Sequence, residues 1–168
     1  QVIPGAEALK DQISHSVKLG STQGMENFFR RIGAVIQSRR HSIDDLLKFL
    51  EKGDLPLSDD GSIIAYKVLK KSGKSGVFVD CHTGNVTQRV GSYVFMDPKM
   101  VDPNRRNECS NGLHIARRGY IGGFSGDVCV LTKIAPEDVI AVPTATKGDE
   151  NQACHQYRQH RPHDHSVI

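Results

Sequence analysis

L-P-L-S-D-D-G-S-I-I-A-Y-K-V, residues 55–68, is where the pattern of the chain changes. Its first half is turn-forming, because Pro56 fixes an extended entry and Asp60-Gly61 suits a tight turn. Its second half, Ile63-Ile64-Ala65-Tyr66-Lys67-Val68, is rich in branched and aromatic residues and predicts a β-strand. Residues N-terminal to the stretch read with a helical period, and most of those C-terminal to it read as short strands and turns. The expected fold class is therefore α+β: an N-terminal helical hairpin followed by a compact, mostly antiparallel β-sheet domain.

Upstream, Met25, Phe28, Phe29, Ile32, Val35 and Ile36 recur at the spacing of one helical face. Ser42 is placed to cap a second helix, with Asp44 and Asp45 in its first turn, where the helix dipole favours anions. Ile43, Leu46, Leu47 and Leu50 give that helix its apolar side, and Gly53 suits its C-terminal exit. The link Arg39-Arg40-His41 is short, so the two helices are expected to pack as an antiparallel pair over residues 25–54. Residues 1–24 are only weakly patterned. One short helix around Ile13 and Val17 is expected there, within a mobile arm or an oligomer contact.

Downstream, Val77-Phe78-Val79 predicts a second strand, Thr83-Gly84-Asn85 a turn, and Val90 to Met96 a third strand. Val128 to Ile134 and Val139 to Val142 predict two more, separated by a turn at Pro136-Glu137-Asp138. A β-rich domain over 55–157 and a His-rich tail over 158–168 complete the expected organisation.

The bulk properties exclude several classes. With 168 residues, 38% hydrophobic and 24% charged, the chain suits one ordinary globular unit. No apolar run approaches the roughly 18 residues needed to span a bilayer. Neither a signal peptide nor an initiator Met is present, so a trimmed, processed or internal chain is expected. Cys81, Cys109, Cys129 and Cys154 form no CxxC pair and read as reduced thiols. A net charge of +3 is too mild to argue for nucleic acid. The doublets Arg30-Arg31, Arg39-Arg40, Arg105-Arg106 and Arg117-Arg118 read as solvated faces, with an anionic partner as the alternative.

Candidate chemistry gathers in two stretches. In C-S-N-G-L-H, residues 109–114, the alternation of a strand would bury Leu113 and Ile115 and turn His114 to the other face. Cys109 and His114 could then form a nucleophile and its base, with Asp80 or Asp102 orienting the ring. A packed thiol and a hydrogen-bonded imidazole in a tight turn is the structural alternative. In D-C-H-T-G, residues 80–84, Cys81 and His82 join Cys109 and His114 as a numerically sufficient zinc set, though the spacing is unconventional. A turn capped by Asp80 and Thr83 explains the same residues without metal. Lys67, inside an apolar strand, either snorkels to the edge or lines a pocket. In the tail, His163 and His165 are spaced to chelate a transition metal, beside His155 and His160, while a flexible tail is the alternative. Gly122-Gly123-Phe124-Ser125-Gly126 lacks the ending of a phosphate-binding loop.

The order of these strings is more telling than any one of them. R-R-H-S-I-D-D-L-L-K-F-L-E-K-G-D-L-P-L-S-D-D-G-S-I-I-A-Y-K-V-L-K-K (39–71) is followed by D-C-H-T-G, V-G-S-Y-V-F-M (90–96), C-S-N-G-L-H and P-E-D-V-I-A-V-P (136–143). This series resembles the bacteriophage RIIB-like family of rapid-lysis and host-exclusion proteins over roughly residues 25–157. The resemblance implies a phage protein of the host cytoplasm, acting with an RIIA-like phage protein or on a host defence protein. It brings no settled enzymatic activity and no cofactor. Its shared polar residues fall on Lys67, Asp80, His82, Cys109, Ser110 and His114, where a ligand-binding pocket is expected, with His82 and His114 the metal candidates of the domain. The expected function is defence countering by binding a protein or small, anionic ligand, as a homo-oligomer through the hairpin. The rivals are a Cys/His hydrolase or nucleotide-signal-degrading enzyme using Cys109 and His114, and a virion or scaffold component.

Overall fold

The computed structural model describes residues 6–18, 20–38, 40–53, 55–104, 106–107, 110–142 and 155–157. A 3-10 turn at Ala6–Leu9 leads into helix α1 (Lys10–Lys18). Leu9 is buried in the core, and the Gln12 side-chain amide donates to the Leu50 carbonyl at 3.4 Å. The short helix expected around Ile13 and Val17 is thus present, and Leu9 just before it reaches the core.

Helix α2 (Gln23–Val35) carries the predicted stripe: Met25, Phe28 and Ile32 are buried, while Phe29 and Val35 pack against the core from its margin. Helix α3 (Arg40–Gly53) buries Ile43, Leu46, Leu47, Phe49 and Leu50. It starts two residues before Ser42, so Asp44 and Asp45 lie beyond the first turn, and Asp45 is buried. A capping preference of about 1 kcal/mol is readily overridden when the preceding residues can also take helical angles.

Strands β1 (Ile63–Lys71), β2 (Phe78–Asp80), β3 (Thr87–Gln88), β4 (Leu113–Ile115), β5 (Val128–Ile134), β6 (Val139–Ala141) and β7 (His155–Tyr157) follow, with short 3-10 turns at Pro98–Met100, Arg118–Gly123 and Pro136–Asp138. They form two antiparallel sheets, in the orders β3-β2-β1-β5 and β4-β7-β6. β1 pairs with β5 from Ile63↔Ile134 to Leu69↔Val128. The two sheets meet where Tyr66 and Ala116 exchange both backbone hydrogen bonds, at 3.0 and 2.8 Å. One core lies between the helices, β1, β4 and β6.

The 55–62 turn lies directly on α2. A Cβ on Gly61, whose φ is +80°, would run into the backbone of Asn27 and Phe28, and one on Gly24 would meet the Ser58 carbonyl at 2.6 Å. Glycine at both positions lets turn and helix touch backbone to backbone. Arg31 fastens the joint. Its guanidinium donates to the Glu137 carboxylate through two N–H groups at 2.8 Å, and also to the Ser62 hydroxyl and the Asp60 carbonyl. The Arg30-Arg31 doublet therefore divides: Arg30 is exposed, as expected of a solvated face, whereas Arg31 is half-buried and ties α2 to the sheet domain.

The strand expected over Val90 to Met96 does not form. Gly91 has φ +79° within a turn closed by the Ser92 N–H on the Arg89 carbonyl, and Val90, Tyr93 and Phe95 are exposed. Branched and aromatic residues favour extended backbone, but a strand also needs a neighbour to pair with. β2 is only three residues long and is already paired with β1 and β3. Among the described residues, no helix is long and apolar enough to cross a membrane.

Candidate functional site

β1 creates the site by having a divided edge. β5 covers one side of it from Ile63 to Leu69, but the other side is shared. Ala116 pairs with Tyr66, and β2 pairs only from Leu69 onward. At Lys67 and Val68 the edge is left without a strand, and a pocket of about 160 Å³ opens there. Its walls come from β1 (Lys67, Val68), the end of β2 and its turn (Asp80, Cys81, His82), β4 and its approach (Gly112, Leu113, His114), and the loop before β5 (Phe124, Ser125).

Lys67 lies on the buried face of β1, in phase with Ile63, Ala65 and Leu69, and is only 5% exposed. Withdrawing an ammonium from water is costly unless hydrogen bonds replace the hydration. Nζ accordingly donates to the His114 carbonyl at 3.0 Å. Of the two sequence alternatives, the lysine lines a pocket.

His114 occupies the middle of β4, with Leu113 and Ile115 buried on the opposite face, as the alternation predicted. Its Nε2 is buried and has no hydrogen-bond partner. Burial lowers the His114 pKa to about 4, and the Lys67 and His82 charges push the same way, against smaller opposing effects of the Ser110 carbonyl and Asp80. At neutral pH the ring is uncharged and shows an acceptor lone pair. The exposed His82 ring stands 5.4 Å from it, centroid to centroid, at 59°.

Asp80 and Cys81 are engaged locally. Burial alone would raise the Asp80 pKa. The N–H groups of Thr83 (2.6 Å) and Val86 (2.8 Å) and the Thr83 hydroxyl (3.0 Å) outweigh it and hold the carboxyl below its usual range. This is the capped turn anticipated from D-C-H-T-G. Burial pushes the Cys81 thiol up, Lys70 opposes this and Asp80 adds to it. The thiol donates to the Val68 carbonyl at 3.0 Å, a poor starting point for a thiolate nucleophile.

Cys109 lies outside the described residues. Its neighbour Ser110 donates its hydroxyl to Asp102 at 2.7 Å, and Asp102 also takes bonds from the Asn107 side chain and the Asn104 N–H, both at 2.8 Å. The Asn107 and Ser110 bonds hold its carboxyl below the usual range. Of the six expected site residues, Lys67, Asp80, His82 and His114 thus converge on one pocket, while Ser110, just before β4, is bonded to Asp102 instead. Among the described residues, no group of three or more His, Cys, Asp or Glu is arranged to hold a metal. His163 and His165 lie outside the described residues, and His155 contributes backbone to β7.

Sequence reasoning missed Phe124 and Ser125. The only signal was Gly126: a Cβ there would meet Cys81 Sγ at 2.8 Å and the Leu69 carbonyl at 2.9 Å. This glycine presses the loop onto the divided edge of β1 and brings Phe124 and Ser125 to the pocket.

A family described as Bacteriophage T4 protein rIIB matches residues 25–160. The chain is also similar to Protein rIIB of Enterobacteria phage T4, with 26% identity over 149 residues that cover 87% of this chain and 46% of that protein. It thus spans about half the length of this relative. No solved structure matches.

Proposed function

Since the chain belongs to the bacteriophage T4 rIIB family and so to the accessory proteins of phages, we propose that it counters host exclusion or defence by binding rather than by catalysis. The observation that carries this reading is the family match across residues 25–160, which takes in most of α2, all of α3 and the pocket. The state of the acidic groups supports binding over chemistry. Asp80 and Asp102, the two candidates to orient His114, both spend their carboxylates on their own loops. The Cys81 thiol, raised by burial, adds no nucleophile.

In this reading the protein works in the host cytoplasm, with an RIIA-like phage protein or a host defence protein as its partner, and self-associates through the helical region. The test is plating. A phage deleted for the gene is expected to plate less efficiently on at least one host carrying an exclusion or defence system, and normally on hosts without one. Equal plating on every defended and undefended host would refute the reading.

A further inference from the structure

The segment that failed to become a strand exposes side chains that strands usually bury. Val94 and Met96 pack against the core, while Tyr93 and Phe95, which alternate with them, are 48% and 53% exposed. Such alternation is that of an extended chain and sets the two aromatic residues on one side of it, about 7 Å apart. Just before them, Arg89 and Ser92 close a tight turn. The Ser92 N–H and hydroxyl donate to the Arg89 carbonyl at 3.0 and 2.7 Å, and the hydroxyl accepts from the Arg89 N–H at 3.2 Å. The turn brings Tyr93 back beside Arg89.

Cations gather at the same end of the sheet. Strand pairing aligns Lys71 with Phe78, and Phe78 with Gln88, the residue before Arg89. Lys70, Lys71 and Lys74 on this hairpin are exposed, and among the described residues neither they nor Arg89 forms an ion pair. Residues 67–96 hold five lysines and arginines against one acid, Asp80, so this stretch supplies more than the net +3 of the whole chain. The acids along the surface, Asp80, Asp97 and Asp127, each accept from a backbone N–H, of Thr83, Lys99 and Lys71 respectively. A charge too mild to argue for nucleic acid when averaged over the chain is thus concentrated beside two exposed aromatic residues.

We infer that this surface binds single-stranded nucleic acid. Lys70, Lys71, Lys74 and Arg89 track the phosphates, and Tyr93 and Phe95 offer their faces to unpaired bases, the combination of charge and stacking by which such strands are held. A duplex fits less well, because its bases already stack on one another and it can use the cations but not the aromatic faces. The inference goes beyond the defence reading and does not depend on it.

The test is fluorescence anisotropy of the intact chain with labelled oligothymidylate and oligouridylate of about 16 nucleotides, and with a DNA duplex of the same length. The expected result is saturable binding to at least one single strand, tighter than to the duplex. Tighter binding of the thymidylate marks a DNA site, tighter binding of the uridylate an RNA site, and equal binding a site indifferent to the sugar. Four phosphate contacts predict that log K falls with log salt at a slope of about −3. Lys71→Gln combined with Lys74→Gln should bring that slope down by about half. Phe95→Ala should weaken binding at least fivefold, roughly the loss of one stacked base, and leave the slope unchanged. Should that variant misfold by circular dichroism, Tyr93→Ala makes the same measurement. No binding at low salt, a duplex bound as tightly as the single strands, or binding that the aromatic variants leave unchanged overturns the proposal. Equal plating on all hosts sinks the defence reading and leaves this surface standing, whereas a silent anisotropy titration does the reverse.

Discussion

Gly61 and Gly84 share a backbone conformation and differ in what surrounds them, so replacing each by alanine separates conformational strain from collision. Both have positive φ, +80° and +71°. Forcing alanine into this region costs roughly 1–2 kcal/mol, partly offset by about 0.4–1 kcal/mol from the restricted unfolded chain. At Gly84 nothing lies within 4 Å of the added methyl, so G84A is expected to cost about 1 kcal/mol and no more. At Gly61 the methyl would lie 2.5 Å from the Asn27 carbonyl carbon and 2.8 Å from the Phe28 Cα. Carbon atoms in contact normally stand about 3.5–4 Å apart, so α2 must retreat by about 1 Å. That helix carries Phe28 and Ile32, both fully buried, and shifting it opens the core beneath them. Loosening a buried aromatic adds a packing loss of a few kcal/mol, which puts G61A at about 3–5 kcal/mol. A domain of this size has about 5–15 kcal/mol in total, so G61A should remove between about a fifth and nearly all of it. Urea unfolding followed by circular dichroism measures both variants. Equal costs for G61A and G84A would refute the direct seating of the 55–62 turn on α2.

The same contacts set three further outcomes. A double-mutant cycle on Arg31→Met and Glu137→Gln should give a coupling of about 1–2 kcal/mol, above the usual surface pair because the bond is bidentate and half-buried; a coupling near zero would mean the pair is broken in solution. His114 has a folded pKa of about 4 against an ordinary 6.5, so the unfolded chain binds the extra proton between these values. Its contribution is therefore complete above about pH 6.5 and is lost toward pH 4, about 2–3 kcal/mol by pH 4.5, and urea midpoints at pH 7 and 4.5 should fall much less in His114→Gln than in the wild type. Asp80, held below its usual value, keeps its contribution through that window. Asp80→Ala should cost about 2 kcal/mol by leaving the Thr83 and Val86 N–H groups without their acceptor, and amide exchange at both positions should accelerate; unchanged exchange would contradict the capped turn.

The parts legible in the sequence are those governed by neighbours along the chain. The apolar period of residues 25–36 and the Leu-rich face of 43–50 became α2 and α3, because a helical face needs only local spacing and something apolar to cover it. The branched run from Ile63 became β1, Val128 to Ile134 became β5, and Asp80 with Thr83 and Gly84 made the anticipated turn. The alternation Leu113-His114-Ile115 turned the imidazole away from the core, since strand geometry sends successive side chains to opposite faces.

What tertiary structure alone decided is where strands find partners. Val90 to Met96 has strand-forming residues, but the turn at Gly91 interrupts the run, and it remained irregular. Arg31 looked like half of a solvated doublet until Glu137, 106 residues away, met it across the joint. The pocket has the same origin. Lys67, Asp80, His82 and His114 could be named from the sequence, but the cavity they share exists because β4 and β2 approach one edge of β1 from either end and no strand pairs with it between them. Local order fixes a residue's angles and the face it occupies. Whether that face meets a partner, a wall or an opening depends on segments distant in the chain, and their approach is set by the packing of the whole core.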